Sequence, residues 1–437
     1  MNLSFYILKR TGLSDKGSFS NFIMRISITA VALSVTVMIV TTSMVSGFQK
    51  EISSKMFGFW GHIHIVPFSV SQSLQEEAVS IDQDFYNNPA MFSGVKHIQV
   101  TANKGAIIKT DEEFEGVILK GVGSDYDWSR LQEFIIDGEM LEISGTKPTY
   151  DILLSKSTAT RLKVKVGDKI ILSFIENSVR LRPYHVVGIF NTSLEEFDKN
   201  HAIINIADIQ KLNGWSSDEV GGFEVIAADE KLLQPYWKYF MWTTIYNLGL
   251  ISDETYYIKS RDKLDEIADE LYYKIENPEL NVLSIKSLQP NIFDWLNLQS
   301  VNEAIILLLM VIVSVINMIT ALLILILDRT HMIGILKTLG ADNWSIRKLF
   351  VWNAAFIIGL GILAGNIFGI GLCLLQEHFG FIQLPEESYY VKVAPVHLSA
   401  SWIMLVNLGT LLVCSLVLIL PTYLVTKISP IKAIRFS

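Results

Sequence analysis

Two histidines stand two residues apart in the run HIHIVP, residues 62–67. On a β-strand that spacing turns both imidazoles to one face, where they could share a metal ion. No third ligand is in view, so the signal is weak and no metal is expected. Glu303 sits at the outer end of a long apolar run. An acid inside a membrane usually marks function, but one at the headgroups need not. Cys373 and Cys414 both fall in apolar runs, which leaves the polar middle of the chain without a disulfide framework or cysteine metal site. The phosphate-cradling pattern G-x-x-x-x-G-K-[ST] does not occur. No catalytic constellation stands out, so the expected chemistry is recognition without catalysis. The segment best suited to it is 328–350, DRTHMIGILKTLGADNWSIRKLF. Its length allows two short helices separated by Gly340-Ala341-Asp342. Met332, Ile333, Ile335, Leu336 and Leu339 give the first an apolar face outside any apolar run. Such a face needs a partner's groove or a lipid surface. Arg329 and Lys337 could pair with acids at the groove's rim.

Four apolar runs frame that segment: 26–46, 303–327, 349–375 and 401–426. Each reaches the ~20 residues that a helix needs to cross a bilayer. The 437-residue chain is 50% hydrophobic and 18% charged, with a mean hydropathy of +0.36, an unusual balance for a soluble protein. The first run begins well inside the chain and has no small-x-small cleavage site after it, so it reads as an uncleaved signal anchor. Asn317 and Asn366 lie within the runs, where amides usually bond between helices. The expected fold class is an integral membrane α-helical protein with four transmembrane helices. A large α+β extracytoplasmic domain, 47–300, lies between the first and second.

Charge sets the expected orientation. The N-terminal segment, the loop 328–348 and the tail 427–437 carry eleven Lys and Arg against three acids. Residues 47–300 reverse this, with 24 basic and 37 acidic side chains. Positive charge marks the cytoplasmic side. Both termini are therefore expected inside, with the acidic domain and the loop 376–400 in the periplasm. The pI of about 5.6 reflects that domain, and no nucleic-acid partner is expected.

Residues 1–25 read as an amphipathic segment at the inner membrane face. The large domain shows period-2 strands at 62–67, at 98–109 with an interruption around 103–105, at 116–122, at 169–176 and at 184–190. A polar hairpin, 177–183, joins the last two. Residues 152–162 look like a strand running into a helix. Residues 262–275 place Leu264, Ile267, Ala268, Leu271 and Ile275 on one helical face. A β-rich subdomain inserted at about 116–220 is expected. The stretch 229–257 is dense in Tyr and Trp and suggests a contact surface.

The order of motifs resembles the FtsX-like ABC-transporter permeases. In the stretch 328–350, residues 334–341 are similar to the G-x-L-[KR]-x-L-G-A part of the family's M-x-x-x-G-x-L-[KR]-x-L-G-A signature. Residues 5–10 (FYILKR) resemble its opening, and Met44-Val45-Ser46-Gly47-Phe48 resembles the S-x-x-x-G-F that closes its first helix. Residues 151–168 resemble its I-L-L-[GS]…L-x-[VL]-x-x-G-D motif. Val187-Gly188-Ile189-Phe190 resembles its V-G-I-F, and residues 429–435 resemble its terminal [DS]-P-[IV]-x-A-[IL]-R. Within the family the order is most similar to the lipoprotein-releasing LolC/LolE branch. Relative to that branch the stretch 229–257 is an insertion, and the hairpin is short.

The resemblance implies a multi-pass permease subunit of the bacterial inner membrane. It would extract lipoproteins from the outer leaflet and pass them to a periplasmic carrier. It implies a separate ABC ATPase subunit in two copies, holding ATP and Mg²⁺ that this chain does not bind. A second permease subunit, identical or related, is implied as well. Arg329, Met332, Ile335, Leu336, Lys337, Leu339 and Gly340 would contact the ATPase. Met44, Val45, Phe48, Leu298, Val301 and Ile305 would line a lipid and substrate cavity. Arg180, Arg182 and Pro183 stand where the branch carries its carrier-binding hairpin. The alternatives are a mechanotransmitter of the FtsX type regulating a periplasmic hydrolase, and an efflux permease of the MacB type.

Overall fold

The computed structural model describes residues 19–68, 76–110, 113–143, 145, 147–175, 179–229, 232–233 and 236–423. The opening motif, the first part of the segment 1–25, the hairpin tip Asn177-Ser178 and the tail 427–437 lie outside them. The chain divides into two compact units.

The first unit falls within residues 1–50, 298–383 and 393–437, and its described residues are mainly helical. Among the described residues four helices are long and apolar enough to cross a membrane. They are α1 (Phe19–Trp60), α3 (Pro290–Asp328), α5 (Asn343–Phe379) and α6 (Ala400–Val417). The second unit, residues 51–297 and 384–392, supplies helix α2 (Lys263–Lys274). The short α4 (Thr330–Thr338) lies between α3 and α5.

Three of the long helices outrun the expected apolar runs, α1 and α3 by the most. Helix α1 has 42 residues, about 63 Å at 1.5 Å each, against a hydrocarbon layer of ~30 Å. Gly47 does not end it, since an isolated glycine is tolerated inside a helix. The stop comes at Gly61, which takes φ +69 and donates its N–H to the Phe57 carbonyl at 3.1 Å. Helix α3 starts at Pro290, thirteen residues before the apolar run, because proline suits a first helical turn.

Small residues let α5 approach α1. Gly361, Gly365 and Gly369 recur every four residues and so share one face. A Cβ on them would lie 2.7 Å from Val31, 2.7 Å from Val35 and 3.1 Å from Ile39 respectively. Close backbone approach of this kind drives helix association where no hydrophobic effect operates. The Thr36 hydroxyl donates to the Gly365 carbonyl at 3.2 Å. Asn366 and Asn407 exchange amide hydrogen bonds at 3.1 and 3.0 Å, joining α5 to α6.

The second unit is built on a ten-stranded sheet. Its strands are β1 (Ile63–Pro67), β2 (Val95–Lys109), β3 (Phe114–Val122), β4 (Ile135–Gly138), β5 (Asp151–Ser155), β6 (Lys169–Ile175), β7 (Val179–Phe190), β8 (His201–Asn205), β9 (Gly222–Ala227) and β10 (Leu280–Ser284). One path runs β10-β1-β9-β2-β3-β8-β5-β7-β4. Strand β6 pairs with both β7 and β2, which closes β2-β3-β8-β5-β7-β6 into a circuit. The β3/β8 and β5/β7 pairs are parallel, and the other pairs in the circuit are antiparallel.

The expected inserted subdomain at 116–220 is corrected by this pairing. Strand β2, outside those limits, is one side of the circuit and also continues the open sheet through β9. The expected break in β2 around 103–105 is absent, because Asn103, Lys104 and Gly105 pair in register with Lys120, Leu119 and Ile118.

Asp208 lies in the short helix Ile206–Asn213 and is 1% exposed. Burial pushes its carboxyl up to about 7, and neighbouring Asp151 adds to the rise. A folded-state pKa above the unfolded value near 3.9 gives stability that is full below pH 4 and lost as pH rises through 7. Asp208→Asn should therefore stabilise the protein increasingly between pH 4 and 8, by up to about 2–4 kcal/mol. Thermal melts at pH 5 and pH 8 test this, and a gap between variant and wild type that does not widen with pH refutes it.

Candidate functional site

Helix α3 breaks at Arg329, which leaves helical geometry at φ −99, ψ 16. The Thr330 hydroxyl donates to the Leu327 carbonyl at 2.7 Å and steadies the break. After α4 the chain turns at Gly340, φ +86. The Ala341 N–H donates to Leu336 O at 2.9 Å and the Gly340 N–H to Lys337 O at 3.1 Å, a paired closure that needs a left-handed residue at position 340. Asp342 caps α5 by accepting from the Ser345 N–H at 3.3 Å. The sequence Leu-Gly-Ala-Asp thus stops one helix and starts the next within four residues.

The structure divides the apolar side chains of α4 into two sets. Ile333 is fully buried, and Met332, Leu336 and Ala341 pack with it against the helical core beside Ile346 and Phe350. Ile335 and Leu339 point away, 42% and 78% exposed, and Trp344 adds a ring at 59%. His331 is exposed one turn before Ile335, so 331, 335 and 339 form one outer stripe. Gly340 is exposed beside it. Arg329 lies 3.7 Å from its neighbour Asp328, an ion pair worth little at a surface. Desolvation lowers the Lys337 ammonium from its usual range. Of the seven residues expected to meet a partner, Met332 and Leu336 are thus turned inward. Trp344 was not singled out from the sequence. Its place in the first turn of α5, past an N-cap aspartate, was the available signal.

The six candidate cavity residues flank the place where α1 meets α3. There Gln49 Nε2 donates to Ser300 Oγ at 2.5 Å. Leu298 and Ile305 are 61% and 50% exposed, and Met44, Val45, Phe48 and Val301 are half-buried. Gly47 faces the segment before α6. A Cβ there would sit 2.4 Å from the Pro395 carbonyl oxygen, and the Ser46 hydroxyl donates to His397 O at 3.1 Å.

Arg180, Arg182 and Pro183 lie within strand β7, paired with β6, and not in a free loop. Arg180 donates to the Leu212 carbonyl at 2.8 Å, while Val179 and Leu181 are 65% and 54% exposed on the opposite face of the strand. In the aromatic stretch, helices Tyr236–Asn247 and Asp253–Ser260 pack as a pair, with Tyr246 stacked on Tyr256 at 4.5 Å. The side chains of Tyr236, Trp237, Tyr239 and Phe240 lie outside the described residues. His62 precedes β1, and its Nδ1 accepts the Ala227 N–H at 3.2 Å, so the strand geometry for a shared metal is not met.

A family model for the FtsX-like permease C-terminal region matches residues 304–430. A model for the MacB-like periplasmic core domain matches residues 26–235. The lipoprotein-releasing system transmembrane protein LolC of Xylella fastidiosa is 23% identical over 437 residues, covering 96% of this chain and 95% of that protein. LolE of the same system in Haemophilus influenzae is 21% identical and covers 99% of both. The periplasmic region of MacB from Actinobacillus actinomycetemcomitans aligns over 53% of this chain and 91% of that one, at a TM-score of 0.32 and 12% identity.

Proposed function

We propose that the chain is an FtsX-like permease, the membrane subunit of an ABC transporter that releases lipoproteins. It lifts them from the outer leaflet of the inner membrane and hands them to a periplasmic carrier. The observation that carries this reading is the end-to-end likeness to LolC and LolE proteins, 95% of one and 99% of the other. That span includes both the helical unit and the outer domain, which favours lipoprotein release over an efflux permease or a hydrolase regulator.

The physical task fits a powered device. A triacyl anchor buries some forty or more CH₂ groups at about 0.8 kcal/mol each, so it does not leave the bilayer unaided. This chain lacks the loop that cradles ATP phosphates, so the energy enters through a separate ATPase, used in two copies. Ile335, Leu339 and Trp344 supply the apolar anchor for that subunit on the cytoplasmic side, and Arg329 and Lys337 lie beside them. The orientation rests on the excess of Lys and Arg in the N-terminal segment, the loop 328–348 and the tail. Met44, Val45, Phe48, Leu298, Val301 and Ile305 receive acyl chains near the outer leaflet. A second permease subunit completes the cavity. The carrier docks on the β6–β7 hairpin, where Val179 and Leu181 join Pro183 on the outward face.

Depletion of the protein in its own host is the test. Lipoproteins destined for the outer membrane should accumulate in inner-membrane fractions within a few generations. Unchanged lipoprotein sorting after depletion would remove the basis for the reading.

A further inference from the structure

Lys120 lies in β3 with no exposed surface, which is rare for lysine. Its Nζ pairs with the Glu224 carboxylate at 2.7 Å, and Glu224 is itself 1% exposed. The same ammonium donates to the main-chain carbonyl of Phe59. It also lies 5.2, 5.4 and 5.4 Å from the rings of Phe59, Trp60 and Tyr126. Glu224 accepts from Gln99 Nε2 at 2.9 Å, and Gln99 Oε1 accepts the Asp127 N–H at 2.9 Å. Register aligns His64, Glu224 and Gln99 in one row across β1, β9 and β2.

Stability alone does not account for this arrangement. Desolvation of two charges commonly offsets their attraction, and apolar replacements of a buried pair are often neutral or better. The location is informative instead. Phe59 belongs to the last turn of α1, where four carbonyls have no helical partner and the helix dipole is negative. Lys120 meets one of those carbonyls and the dipole together. The last two residues of α1 are also wedged among rings, Phe59 against Phe190 at 5.7 Å and Trp60 edge-on to His201 at 4.9 Å. The end of the helix is thereby held by β3, β7, β8 and β9 at once.

We propose that Lys120 and Glu224 are positioning residues for lipoprotein release: they fasten the outer end of α1 to the sheet, so that a displacement of the helix moves the outer domain with it. The inference rests on the lipoprotein-release reading. Without the fastening, the last turn of α1 would slip against the sheet and ATP would be hydrolysed without useful motion.

The test uses the permease copurified with its ATPase, in proteoliposomes loaded with a fluorescent triacylated lipoprotein. ATP hydrolysis and lipoprotein released per ATP are read together. The double variant Lys120→Met/Glu224→Leu leaves no charge unpaired. It should assemble and hydrolyse ATP within twofold of wild type, while release per ATP falls at least tenfold. Unchanged release per ATP overturns the proposal. If the double variant does not accumulate, Glu224→Gln keeps the carboxylate's shape and is read in the same way. A drop of threefold or more in release per ATP supports the fastening, and a smaller change overturns it. If the wild-type complex hydrolyses ATP and frees no lipoprotein, the release reading fails, and a cargo-free readout still decides the fastening. Spin labels at exposed positions 50 and 217, in a Cys373→Ser/Cys414→Ser background, are followed as ATP is added. A constant distance in wild type and a change in the variant are expected. A change in wild type, or the same constant distance in both, overturns the proposal.

Discussion

Leu339→Glu is expected to reduce the ATPase subunit recovered with the permease by at least a hundredfold, while the permease's own melting temperature stays within about 2 °C. The separation follows from exposure. Leu339 is 78% exposed, so removing it costs the isolated chain almost nothing. In the complex it would be the protruding apolar side chain of the outer stripe, with Ile335 one turn behind and Trp344 beyond the turn. Burying a leucine contributes about 2–3 kcal/mol, and forcing a carboxylate into the same groove adds a desolvation cost. Together these exceed the ~2.7 kcal/mol that corresponds to a hundredfold change in affinity. Leu336→Ala should behave in the opposite way. That side chain packs against the buried core of the helical unit, so its loss should cost stability first. The check is copurification followed by thermal aggregation of the purified permease. Full ATPase recovery with Leu339→Glu would show that the outer stripe of α4 is not where the ATPase binds.

Gly47→Ala should prevent the helical unit from assembling, although alanine is the better helix former. On propensity alone the exchange would stabilise α1 by roughly 1 kcal/mol. Packing decides the sign. The new methyl would lie 2.4 Å from Pro395 O, 2.7 Å from Pro395 C and 2.9 Å from Val396 N, all backbone atoms that cannot rotate away. Relief requires α1 to move off the segment before α6, which breaks the Ser46–His397 and His397–Ser43 hydrogen bonds. A loss of several kcal/mol is expected, enough to abolish a folded population at 37 °C. Gly359→Ala in α5 is the control, because nothing lies within 4 Å of its Cβ. Membrane-fraction yield and size-exclusion profiles of the two variants give the answer, and equal behaviour would exclude backbone crowding at Gly47.

These two sites show what could be read from the chain and what could not. The apolar runs announce themselves, since a bilayer imposes about 20 residues whatever the packing. The turn at Gly340-Ala341-Asp342 was equally legible, because a helix stop and a helix start each need particular residue types. Which residues of α4 face outward was not. Met332, Ile335, Leu336 and Leu339 are alike in hydropathy, and only the neighbouring helices decide that 332 and 336 turn inward. Gly47 was noted in a motif, but the backbone it clears lies some 350 residues further along. The circuit of strands was missed for a similar reason. The pairing of Ile107 with Ser173 joins segments 66 residues apart, and alternation within each strand is silent about its neighbours. Lys120 left one faint trace, a single charge inside the run GVILKGV.

A strand with an unpaired side is an invitation to any other extended chain. Joining β6 back onto β2 takes the six strands β2, β3, β5, β6, β7 and β8 out of that trade. What remains open is the margin at β10, five residues long and carrying the polar Asn281 and Ser284, and the four-residue β4, which includes Asp137 and a glycine. Short, polar and interrupted margins are poor templates for another chain. The closed circuit thus protects the sheet itself against clumping.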